Sequence, residues 1–252
     1  KNFIIKKALQ FATEILDNSI EFRDNAKTLT LLNLFTEAGL YNKSSYIISK
    51  LSNEQLRNPK IIFCRTKLAY HSHNYDEIDE LKFELSKIAE LPTENGIQAL
   101  RNLCLVDSLE PLSIEDLDYI LNLAKRNPKV EKIDILRIFG LILKNQTDHS
   151  EMSRVVENCS QIFDLKQDKE LVIFSNWLIK VGKFDKILNY VSPSRAKMNK
   201  ELFILRSNAL LLTQNTKLLE EELENSPIIP FRWRLTIKSR LCMMNGSQDE
   251  AH

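Results

Sequence analysis

Apolar residues return every three or four positions along most of this chain. Phe3, Ile4, Ala8, Phe11, Ala12 and Ile15 form one stripe. Leu31, Leu34, Phe35 and Ala38 form a second, and Ile114, Leu117, Ile120, Leu121 and Ala124 a third. This is the 3.6-residue period of helices with one buried face, and no stretch shows the alternation of a half-buried strand. Five glycines and seven prolines punctuate the chain, and apart from Gly140 they fall where the stripes break. Proline at helix starts and glycine at helix ends is the asymmetry a helical reading requires. The pattern predicts helices at 2–16, 21–38, 41–51, 59–71, 75–89, 94–107, 113–126, 129–145, 149–163, 168–181, 184–191, 199–212, 216–224 and 231–244, with another beginning at 248. Ser113 followed by Asp116 predicts a capping box at the start of one of them. Short loops join most neighbours, so the fold class is all-α and consecutive helices are expected to pair as antiparallel hairpins.

The hairpins repeat. "SNWLIKVGKFDKIL" starts at Ser175, "SNALLLTQNTKLLE" at Ser207 and "SRLCMMNGSQDEA" at Ser239. The turns inside successive pairs fall at Gly39, His73, Thr147, Gly182, Gln214 and Gly246, which are 34, 74, 35, 32 and 32 residues apart. The interval of 74 holds two repeats, with the middle turn near Asp107–Leu112 carrying a few extra residues. A period near 34 built from two helices resembles the tetratricopeptide (TPR) superfamily. The turns resemble its G-x-Y-x-x-A consensus: Gly39 with Tyr41, Tyr75 in "NYDEI", Gly182 with Phe184, and Gly246 with Ala251. The family's small residue, seven before the turn, is matched by Thr66, Gly140, Ser175, Ser207 and Ser239. Leu32 departs from it, and His149, Thr216 and Gln248 replace the turn aromatic. The pair at about 94–126 scarcely fits, and the tryptophan expected near each first helix's start is missing. The resemblance implies a right-handed α-solenoid of about seven antiparallel hairpins, spanning 1–252 as one repeat domain. It also implies that the turn aromatic packs between the helices of its pair. Gly140, without a side chain, would let a neighbouring backbone approach.

Composition narrows the function. Hydrophobic residues make up 43% and charged residues 27%, a globular balance. The net charge of +1 speaks against nucleic-acid binding driven by counterion release and against a polybasic membrane binder. No apolar run approaches the roughly 18 residues of a membrane span. Cys64, Cys104, Cys159 and Cys242 form no C-x-x-C pair and sit in or beside apolar helical patterns. Reduced thiols fit a cytoplasmic setting, and a periplasmic one stays open. Because the chain begins at Lys1 and ends in a helical pattern, it reads as a fragment of a longer protein, so localisation is poorly constrained.

One polar series stands out. Asn33, Lys67, Asn176, Asn208 and Arg240 each follow the small-residue position, and Leu141 breaks the series. In TPR proteins this place faces the concave groove, where asparagine holds the backbone of an extended peptide. An amide can donate and accept at once, which suits that task. The plainer alternative is a row of solvated residues on an exposed face. Leu29, Val172 and Ile204 stand where the family's carboxylate clamp needs lysine, so a clamp for chaperone tails is not expected.

Other candidates are weaker. "FRWRLTIKSR" (231–240) interleaves arginines and aromatics, but a helix spreads them over more than one face, and the acidic "EEELE" (220–224) precedes it. "HSHNYD" (71–76) holds two histidines and a carboxylate, short of the converging ligands of a metal site, and repeat grammar accounts for them. No G-x-S-x-G, P-loop or Rossmann glycine pattern occurs. The expectation is a non-enzymatic protein- or peptide-binding scaffold without cofactor or metal. The competing readings are an architectural spacer or assembly subunit, an accessory domain to an enzyme encoded elsewhere in a longer chain, and RNA binding of the pentatricopeptide kind.

Overall fold

The computed structural model describes residues 25–225 and 231–244. Among the described residues there are fifteen helices and no strand, so the chain is all-α. It divides into two compact units, Lys1–Asn145 and Gln146–His252. The first holds α1 (Asn25–Glu37), α2 (Tyr41–Ser49), α3 (Asn53–Leu56), α4 (Pro59–His71), α5 (Tyr75–Ala89), α6 (Glu94–Val106), α7 (Ile114–Arg126) and α8 (Lys132–Asn145). The second holds α9 (His149–Ser160), α10 (Asp168–Lys180), α11 (Phe184–Tyr190), α12 (Pro193–Met198), α13 (Lys200–Leu212), α14 (Thr216–Glu224) and α15 (Phe231–Met244). No described helix is long and apolar enough to cross a membrane. The helices expected at 2–16 and from 248, and the turn at Gly246, lie outside the described residues.

The expected helices are found within a few residues of their ends. The two that periodicity misses, α3 and α12, are too short to carry a stripe. Each is announced by its cap instead. Ser52 Oγ accepts the Gln55 N–H while Gln55 Oε1 accepts the Ser52 N–H, a complete capping box. Ser192 Oγ accepts the Arg195 N–H, and Pro193 occupies the first helical position. The box expected at α7 is present, Ser113 and Asp116 capping each other's backbone N–H.

Four hairpin turns share one geometry. Gly39, His73, Gly182 and Gln214 have φ of 72°, 55°, 73° and 60°, and they are the positive-φ residues of the described chain. After each, the next residue's N–H reaches back five positions: Leu40 to Phe35, Asn74 to Ala69, Lys183 to Leu178 and Asn215 to Leu210, at 2.8–2.9 Å. The turn residue's own N–H bonds three positions back. This is the Schellman ending, which satisfies carbonyls that the helix leaves open. The next helix then begins at Tyr41, Tyr75, Phe184 or Thr216. Thr147 does not share the geometry. At Asp107, the third pair's turn, the carboxylate caps the Leu112 N–H instead.

The turn aromatics do not all behave as the resemblance implies. Tyr75 is 55% exposed. Tyr41 stacks on His71 of α4, with ring centroids 4.2 Å apart and its hydroxyl 2.7 Å from Nε2. Gly96, inside the first turn of α6, makes a close approach to neighbouring backbone. A Cβ there would lie 1.9 Å from the Leu91 carbonyl oxygen.

Packing links helices close in sequence. In the first unit α4 lies against α1, α2, α3, α5 and α6, and α8 against α6 and α7. In the second, α13 lies against α10, α11, α12 and α14. Thr66, Ser175 and Ser207 are buried, while Gly140 and Ser239 are half-buried. Thr66 Oγ1 donates to the Ile62 carbonyl, whereas the hydroxyls of Ser175 and Ser207 have no hydrogen-bond partner among the described residues. Leu32, at the same place in the first pair, is buried in a cluster with Phe35, Ile47, Leu51, Ile61 and Cys64.

Candidate functional site in the second unit

The 32-residue period sets α10, α13 and α15 in register, so Asn176, Asn208 and Arg240 hold equivalent helical positions. One turn further on stand Ile179, Leu211 and Met243. Part of this grid closes around an open cavity of about 660 Å³. Its apolar walls are Ile179 of α10, Leu211 and Leu212 of α13, and Met243 of α15. Its polar groups are Asn208, Arg240 and the turn residue Gln214. Leu212 and Met243 are 55% and 58% exposed, so much of the wall is unoccupied apolar surface.

The five residues of the polar series meet different fates. Asn208, half-buried, and Arg240, exposed, come together at the cavity. Asn176 does not line it; its Nδ2 donates to the Val172 carbonyl of its own helix at 3.0 Å. In the first unit Asn33 accepts from the Cys64 thiol at 3.3 Å, linking α1 to α4. Lys67 stands on α4 with its Nζ 4.9 Å from the Phe63 ring centroid, a cation–π contact. Burial pushes the Cys64 thiol up to about 11, with the Lys67 charge opposing the rise, so Cys64 is a protonated donor at neutral pH. Asn33 and Lys67 therefore flank one buried thiol.

The apolar walls were not singled out by their residue types. Ile179, Leu211 and Met243 look like ordinary core until the 32-residue register is applied to them. The acidic run also resolves differently from its neighbourhood in sequence. Glu222 is buried on α14 and receives three hydrogen bonds of 2.8–3.0 Å from Arg206 of α13. Arg206 also donates to the Val191 carbonyl at 2.7 Å, tying in the end of α11. On α15, Ile237 and Leu241 are buried while Arg232, Trp233, Lys238 and Arg240 are exposed around the rest of the helix. His71 is engaged by Tyr41, and His73 serves as a left-handed turn residue.

No family model matches the chain, and no curated protein matches it in sequence.

Proposed function

We propose that the hairpins of both units are TPR-like repeats of a right-handed α-solenoid. On this reading the chain is a non-enzymatic scaffold that binds an extended peptide or partner segment. The observation that carries it is the meeting of Asn208 and Arg240, 32 positions apart, at one open and largely apolar cavity. The Asn208 amide can donate to a ligand carbonyl and accept from a ligand N–H. Each such bond contributes about 0.5–1.5 kcal/mol net, against roughly 8 kcal/mol for a micromolar complex. Polar contacts alone fall short; covering the exposed parts of Leu212 and Met243 adds on the order of 1 kcal/mol for each, and a micromolar ligand needs further apolar or charged contacts beyond these two.

The test is capture of partners by the full chain, identified by mass spectrometry, beside an Asn208→Ala/Arg240→Ala variant of unchanged helical circular dichroism. A partner held by the native chain and lost by the variant supports the reading. Partners retained equally would move binding to another surface.

A further inference from the structure

We infer that the cavity of the second unit selects an internal segment of a partner chain in which an aspartate or glutamate stands one or two positions from an aliphatic side chain. The inference rests on the reading of this face as a binding site and adds the ligand's chemistry. Arg240 is the one charged side chain among the described residues lining the cavity. Among the described residues no acidic group lines it and none pairs with Arg240. The other arginines of this unit's interior are met within the chain: Arg206 by Glu222, and Arg195 by Asp168. The planar fork of Arg240 is therefore an unanswered carboxylate site beside apolar walls.

Spacing sets the motif. Arg240 and Met243 are three apart on α15, which puts their side chains on one face about 5–6 Å apart. An extended ligand covers that distance in one or two residues. The methionine is unbranched and can adapt to Leu, Ile or Met on the partner. An internal acidic residue has backbone on both sides for the Asn208 amide to grip. A chain terminus has backbone on one side only, so the inference commits to a side-chain carboxylate.

The experiment pans a displayed library of random 12-residue peptides, followed by a spacer, against the full chain. The enriched sequence is then synthesised with an amidated C-terminus and titrated by fluorescence anisotropy. Enrichment of Asp or Glu beside Leu, Ile or Met is expected. Affinity should fall at least tenfold on Arg240→Glu, and a peptide with lysine in place of its acid should bind that variant better than the native chain. Peptides without acidic bias that ignore Arg240→Glu but are lost on Asn208→Ala would overturn this inference and leave the binding site standing. Peptides that ignore both substitutions, or no enrichment at all, would overturn both. Circular dichroism and melting temperature check that each variant is folded.

Discussion

The same position in the repeat behaves differently in the two units. In the first, Asn33 is held by Cys64, and Lys67 covers the Phe63 ring. In the second, Asn208 and Arg240 face an open cavity. The helical register is common to both, so register alone does not make a site. What differs is the residue that the neighbouring first helix brings alongside. Cys64 donates to the Oδ1 of Asn33, whose side chain is otherwise exposed, whereas Ile179, Leu211 and Met243 offer the second unit's polar groups nothing to bond. A repeat fixes where a side chain stands, and its neighbours decide whether it stays available.

The largest break in this comparison should come from the buried pair that shapes the second unit. Glu222→Ala strands Arg206, 6% exposed by side chain, and should cost about 3–5 kcal/mol. Hydrogen exchange in α13 and α14 would read it locally, and Arg206→Met with Glu222→Leu should recover most of the loss. Little recovery would mean that the carbonyl bonds of Arg206 carry more than the ion pair. In the first unit, Gly96→Ala forces a methyl onto the Leu91 carbonyl and should cost about 1–3 kcal/mol or more, seen as a lowered urea midpoint. A neutral result would remove the close approach of the loop after α5 to the first turn of α6.

Smaller effects sharpen the likeness of the units. His73→Gly and Gln214→Gly relieve L-residues of left-handed backbone and should each stabilise by about 0.5–1 kcal/mol, while Gly182→Ala should cost a similar amount. Thermal melts would show opposite signs. Ser207→Ala removes a hydroxyl with no partner among the described residues and should be neutral or slightly stabilising, within about 0.5 kcal/mol. A clear destabilisation would reveal a bonded hydroxyl.

Acid should touch both units. Burial raises the Asp107 carboxyl, but bonds from Lys144, the Leu112 N–H and Asn145 outweigh it and hold it below the usual range. At Asp168 the Arg195 guanidinium, then Asn199, hold the carboxyl down. A carboxyl depressed on folding contributes stability above its unfolded value of about 3.9, and loses it as pH falls through the folded one. Melting temperature should therefore drop as pH falls below about 4. Lys144→Met should flatten the drop at Asp107, which is nearly buried, more than Arg195→Met does at the better-solvated Asp168.

Much of the fold could be read from local demands. The four left-handed turns were placed by spacing even where the residue is histidine or glutamine, because a hairpin of fixed helix length needs its reversal at a fixed place. The caps of α3 and α12 are equally local signals, but helices of four and six residues are too short to add a periodic stripe to them. The Arg206–Glu222 pair was not legible. Glu222 sits among four similar glutamates in "EEELE", and only the helix crossing decides which one turns inward. The site was half legible: the polar series found Asn208 and Arg240, but Asn33 and Asn176 are bonded within the chain, which no single sequence announces.

The central claim is that the open pair of the second unit binds and the engaged pair of the first does not. The direct measurement titrates the captured partner against two double variants, Asn208→Ala/Arg240→Ala and Asn33→Ala/Lys67→Ala. The account predicts at least a tenfold loss of affinity for the former and native affinity for the latter. Equal losses, or a loss only in the first-unit variant, would contradict it.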